Sequence, residues 1–272
     1  MRLTYWFLVF MSIAFFMSVS GCRTGTELPV EIRHIPVLHK PLVCNNKPII
    51  VAVIDTGFGL TTVDVKARLC NFGHKDFTGG STTDKYGTKD PVPVDDNGHG
   101  THIAGLIDSF ASKSNVNYCL VILKYYKPDA YDEANLRNTV DAINYAKNIH
   151  ADYINYSGGG GMKSEVEAKA VKEYLDAGGK FVAAAGNENV NLEYIHYYPA
   201  QDDSRVIVVG ALDSHGDKLP SSNYGSDVKI SELGKEVQVC DESTCLSMTG
   251  TSQAAAIHTG KMLAKEKNTC KK

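Results

Sequence analysis

The stretch Pro48-Ile49-Ile50-Val51-Ala52-Val53-Ile54-Asp55-Thr56-Gly57 decides the fold. Residues 49–54 form an unbroken apolar run in which only Ala52 is not β-branched. The run shows no polar alternation, which predicts a strand buried on both faces of a parallel sheet. It ends abruptly at Asp-Thr-Gly. An Asp in that position is a turn former or helix cap, or it is a reactive group, because open parallel sheets gather their reactive groups at the carboxyl ends of strands.

Working outward, similar strand-like runs occur at Tyr118–Leu123, Ala151–Tyr156, Lys180–Ala185 and Arg205–Val209. Between them lie helical patterns. Leu136, Val140, Ile143, Tyr145, Ala146 and Ile149 fall on one helical stripe, and Val166–Leu175 repeats the pattern before Gly178-Gly179 stops it. Strand–helix alternation predicts an α/β domain with a mostly parallel central sheet and helices on both faces, spanning 48–268. Residues 22–47, with prolines 29, 36 and 41, predict a linker or loosely packed arm.

With 43% hydrophobic and 22% charged residues among 272, the chain is globular in composition. A net charge of −3 with scattered cations leaves no basic footprint for nucleic acid. Residues 1–21 differ: after Arg2 an uncharged apolar stretch runs to small residues before Cys22, the pattern of a signal peptide. Val19-Ser20-Gly21-Cys22 resembles the lipobox of bacterial lipoproteins, which implies cleavage before Cys22, lipidation of its sulfur, export, and anchoring to the outer side of a bacterial membrane. An uncleaved membrane anchor and a soluble secreted protein are the alternatives. Six cysteines then remain: Cys44, Cys70, Cys119, Cys240, Cys245 and Cys270. An even number in an exported chain predicts disulfides, with 15 connectivities open, and free, buried thiols acting as small hydrophobes are the alternative for some of the six. Cys240 and Cys245 flank a polar turn, which suggests a local hairpin bridge.

Two further segments carry chemistry. His99 sits between Gly98 and Gly100, and an apolar helix follows it. His99 and His102 together suggest metal ligation, but no nearby carboxylate or Cys completes a metal spacing. Ser252, after Gly250-Thr251, enters an alanine-rich helix. It is a helix cap or a nucleophile whose own backbone N–H, at a positive helix end, helps bind an oxyanion.

The motifs AVIDTG (52–57), NGHGTHIAG (97–105), INYSGGGG (154–161), AAAGNE (183–188) and TGTSQAAA (249–256) occur in an order that resembles the subtilase family. The resemblance implies a three-layer subtilisin-like fold and a serine endopeptidase working through an acyl-enzyme. It implies Ser252 as nucleophile, His99 as general base and acid, Asp55 as the group orienting His99, and Asn187 as the oxyanion side chain. Ser157, Gly158 and Gly159 match the strand that pairs with the substrate backbone, and Tyr197, before Tyr198-Pro199, matches the base of the pocket for the P1 side chain, the residue preceding the scissile bond. The implied partners are a peptide or protein substrate and, through the lipid, a membrane. No cofactor is called for, and no pattern indicates a structural calcium. Gln253, Ala256 and Ile257 depart from the usual Met, Pro and His, and the segment from Cys22 to Pro48 is shorter than a subtilase propeptide domain. The rival functions are a catalytically silent binding module and an esterase. The second lacks its Gly-x-Ser-x-Gly motif and its Ser, Asp, His order.

Overall fold

Side chains of the 49–55 strand are buried on both faces, as an interior parallel strand requires. Ile50, Ala52 and Ile54 pack into one apolar cluster, while Ile49, Val51 and Val53 pack into another on the opposite side. The computed structural model describes residues 46–59, 68–240 and 245–268, together with the backbone of 31–33. In chain order the elements are β1 (Glu31–Arg33), β2 (Ile49–Asp55), β3 (Lys75–Asp76), β4 (Thr82–Thr83), β5 (Val92–Pro93), α1 (His99–Ala111), β6 (Tyr118–Lys124), α2 (Asp132–Asn148), β7 (Tyr153–Tyr156), α3 (Glu165–Asp176), β8 (Lys180–Ala184), β9 (Ile207–Leu212), β10 (Ile230–Leu233), β11 (Val237–Cys240), β12 (Cys245–Met248) and α4 (Thr251–Leu263).

The central sheet has seven strands in the order β10-β9-β8-β7-β2-β6-β3, and every pairing in it is parallel. One cluster joins the sheet to α2 and α3, and the other joins it to α1 and α4, giving three layers. The chain leaves β2 for β6 on one side and then crosses to β7 on the other. β2 is therefore the topological switch point, where a crevice opens outside the strand ends. Asp55 is the last residue of β2 and stands at that crevice.

The arm departs from its reading as a linker in one place. Residues 31–33 form β1, which pairs in parallel with β11 and covers an edge that would otherwise be unpaired. β11 and β12 make the expected hairpin, closed by the Cys240–Cys245 disulfide. A second disulfide, Cys70–Cys119, ties the segment before β3 to β6. Cys22, Cys44, Cys270 and the signal segment lie outside the described residues. Among the described residues no helix is long and apolar enough to cross a membrane, and no cluster of metal-ligating side chains occurs.

The departures Gln253, Ala256 and Ile257 are core residues here. All three are at least 98% buried in α4, and Ala256 and Ile257 pack in the cluster shared with α1. Ala256 and Ile257 fill the helix–helix seam, while the Gln253 amide NH2 donates to the Met248 sulfur at 3.8 Å.

Candidate active site

Asp55 ends β2 and is 2% exposed. Its Oδ1 accepts a hydrogen bond from the backbone N–H of Thr56 at 2.8 Å and lies 2.7 Å from His99 Nδ1. His99 is the first residue of α1. Gly98, its N-cap, has φ 96°, a left-handed conformation that glycine adopts without strain. Gly100 lets the helix start press against the turn after β2: a Cβ there would stand 2.4 Å from the carbonyl oxygen of Gly57. Burial acts to lower the pKa of His99, but the charge and hydrogen bond of Asp55, helped by the charge of Asp95, outweigh it and hold the imidazole above its ordinary range.

Ser252 lies in the first turn of α4, whose initial N–H groups have no intrahelical acceptor. Its hydroxyl donates to the carbonyl of Ser157 at 3.0 Å, and the Ser157 hydroxyl donates to the carbonyl of Ser252 at 3.2 Å. This reciprocal pair docks the head of α4 onto the strand leaving β7. Asn155 supports it from below, donating to Ser157 Oγ at 3.1 Å and accepting from the Thr259 hydroxyl of α4 at 2.8 Å.

Asn187 follows β8 and is exposed. Its amide oxygen accepts from the backbone N–H of Thr251 at 2.9 Å and from the Thr251 hydroxyl at 3.2 Å. With the oxygen thus engaged, the amide NH2 is the half of the side chain left to donate to a bound substrate. Asn187 Nδ2 and the Ser252 backbone N–H are donors available to a developing negative charge.

Gly159 and Gly186 face each other across the ring of Tyr197. A Cβ on Gly159 would meet Tyr197 Cε1 at 2.4 Å, and one on Gly186 would meet Cε2 at 2.9 Å. The ring therefore lies between the two backbones. Burial, and then the nearby charges of Glu188 and Tyr125, raise the pKa of its phenol. On the other side of Asp55 a cavity of about 110 Å³ opens beside Thr56, Asp96, Lys124 and Tyr126. The buried Lys124 amine there is bonded to the Val94 carbonyl at 2.7 Å and to Asp96 at 3.0 Å.

The structure thus brings Asp55 and His99 into contact, sets Ser252 against Ser157, and sets Asn187 against the residue before Ser252. Sequence reasoning missed Asp95, Asn155 and Thr251. All three lie inside or beside the quoted motifs, but only their spatial partners reveal what they do. His102, weighed above as a metal ligand, is instead fully buried, with Nε2 at 3.1 Å from the carbonyls of both Val237 and Leu246. Burial lowers its pKa to about 4, so it stays neutral. Chemically, a base oriented by a carboxylate, a hydroxyl at a helix head and preorganised N–H donors are the parts that acyl transfer needs.

Comparison with known proteins agrees with this geometry. The model of the subtilase family matches residues 46–269. Over 212 residues the chain is 31% identical to Subtilisin DY of Bacillus licheniformis, covering 75% of this chain and 72% of that protein. It is 30% identical to the major intracellular serine protease of Bacillus subtilis strain 168, covering 77% of this chain and 65% of that protein. Among solved structures, a cold-adapted subtilisin-like serine proteinase superposes with TM-score 0.60 at 26% identity, over 78% of this chain and 72% of the other.

Proposed function

This chain belongs to the subtilase family of serine-type endopeptidases, and we propose that it hydrolyses peptide bonds through an acyl-enzyme with Asp55, His99 and Ser252 as its triad. The observation that carries this reading is the 2.7 Å contact between Asp55 and His99 at the heads of β2 and α1, with Ser252 held at the head of the helix packed beside α1. In the resting arrangement the Ser252 hydroxyl is parked on the Ser157 carbonyl. Productive substrate binding swings it to His99 Nε2, in line with the tightening of catalytic hydrogen bonds once substrate is bound.

Ser252 Oγ then attacks the scissile carbonyl carbon while His99 Nε2 takes the hydroxyl proton, and Asp55 stabilises the imidazolium without itself being protonated. The carbonyl oxygen becomes an oxyanion held by Asn187 Nδ2 and the Ser252 N–H. Collapse expels the amine, which leaves with the proton from His99. Water, activated by the same imidazole, hydrolyses the ester. Ser157, Gly158 and Gly159 receive the substrate backbone, and Tyr197 floors the pocket for the P1 side chain. Labelling with a fluorophosphonate probe tests the reading. Wild type is expected to label and to cleave peptides, while Ser252→Ala, His99→Ala and Asp55→Ala fall to background cleavage with unchanged circular dichroism. Wild-type cleavage by Ser252→Ala would end it.

The same proposal places the enzyme on the outer side of a bacterial membrane, held by lipid on Cys22. Its support is the sequence Val19-Ser20-Gly21-Cys22 at the end of the apolar leader, together with the disulfides Cys70–Cys119 and Cys240–Cys245, which belong to an oxidising compartment. Wild type is expected to partition into detergent and Cys22→Ala to lose its lipid label. A mature wild-type chain that is lipid-free and starts elsewhere would refute the anchor.

A further inference from the structure

Asp95 is fully buried, yet no step of the proposed mechanism uses it. Its carboxylate is the most heavily bonded group near the site. Oδ1 accepts from the Thr56 hydroxyl at 2.8 Å and from the backbone N–H groups of Asn97 at 3.0 Å and Gly98 at 2.8 Å. Oδ2 accepts from the backbone N–H of Thr101 at 2.9 Å and from its hydroxyl at 2.6 Å. The bonded Thr56 hydroxyl in turn accepts from the Gly100 N–H at 2.9 Å. On one side, then, Asp95 caps the first turn of α1, which has no side-chain cap from its own N-cap residue. On the other side it grips the residue that follows Asp55.

We propose that Asp95 is a positioning residue for the reaction, clamping the turn that carries Asp55 to the helix head that carries His99 and placing a second fixed negative charge behind the imidazole. An Asp in this position serves both ends of the clamp. Only an acceptor with two oxygens receives five donors at once, and a carboxylate at a helix N-terminus complements the helix dipole. Burial works against its ionisation, but the bonds from Thr101, Gly98 and Asn97 win, and Asp95 stays below the usual carboxylate range. The titratable groups facing His99 are Asp55, Asp95 and His102. His102 is neutral, so the two carboxylates set the field at the imidazole.

The proposal rests on the protease reading only for its kinetic arm. The decisive measurement is the titration midpoint of His99 in the free enzyme by NMR, which needs no turnover. In Asp95→Asn the midpoint is expected to fall, because a negative charge stabilising the imidazolium is gone. The acid limb of kcat/KM falls with it, and kcat drops about tenfold or more while KM stays within about twofold. Asp96→Asn is the control: it removes the neighbouring carboxylate, whose side chain is 73% exposed and so better screened by solvent. A shift there as large as in Asp95→Asn overturns the proposal. So does a folded Asp95→Asn with an unmoved midpoint. If Asp95→Asn fails to fold, Thr56→Val breaks one arm of the clamp alone. It is expected to lower kcat severalfold at unchanged KM, with recovery in Thr56→Ser, and unchanged kcat in Thr56→Val overturns the clamp.

Discussion

Tyr197 shows what a single ring does to a binding crevice. Its two edges stand against Gly159 and Gly186, so the space that these glycines open is already occupied by protein. An aromatic P1 side chain has to displace a half-buried ring, and overpacking of that kind is costly. We therefore expect wild type to cleave after small or medium residues such as Ala, Val and Leu, and Tyr197→Gly to gain cleavage after Phe and Tyr by at least an order of magnitude. Profiling both on one peptide library checks this. A wild type that already prefers Phe, or a mutant with the same profile, sinks it. At this scale Asp55, His99, Asn187 and Ser252 each read alone as a turn or cap residue, and only the ordered set of motifs that resembles the subtilase family singled them out. Asp95 was not legible. Asp95 and Asp96 are the same letter twice, yet one is fully buried and the other faces water, and nothing local tells them apart.

At the scale of elements, the long strands and α2 were legible because burial writes itself as unbroken or periodic apolar residues. The two-residue strands β3, β4 and β5 have no period to read. α3 is a sharper case. Its pattern put Val166 on the apolar stripe, but Val166 is 63% exposed, while Glu167 is 96% buried in the first turn after the Ser164 cap. Burial first, and then the nearby charge of Asp202, push the Glu167 carboxyl up to about 8; Asp202, itself partly buried, is raised to about 6. Both folded-state values lie above the unfolded ones. The native state therefore binds more protons than the unfolded state, and stability falls as pH rises from about 4.5 to 8. Glu167→Gln keeps the shape and removes the titration. It is expected to match wild type in Tm at pH 4 and to exceed it by several degrees at pH 8.5, with the Asp202 share of the slope remaining. Parallel Tm curves across that range would show that Glu167 is solvated.

Across the whole molecule, the two ends of the described domain are knotted together. The Asn46 side-chain amide donates to the Asn268 side-chain oxygen, and Asn268 Nδ2 donates to the Lys47 carbonyl at 2.9 Å. Asn117, just before β6, joins both. Its side chain donates to the Asn46 carbonyl at 2.7 Å, and its backbone N–H donates to the Asn268 carbonyl at 2.7 Å. Cys44 precedes this knot by two residues and Cys270 follows it by two. The other candidates are spent: Cys70 holds Cys119, Cys240 holds Cys245, and Cys22 carries the lipid in the proposed mature form. Sequence alone left 15 pairings open because a bridge across 49 residues, such as Cys70–Cys119, leaves no local mark. Once two pairs are known, Cys44 and Cys270 are the two of the six that remain, and both lie outside the described residues. Non-reducing peptide mapping is expected to recover three linked pairs, the third joining Cys44 to Cys270, and Cys44→Ser with Cys270→Ser is expected to lower Tm by unclipping the domain ends. Alkylation of both thiols in the untreated mature protein would remove the clip. A Cys22–Cys44 link would remove the clip and the lipid anchor together, since one sulfur cannot hold both.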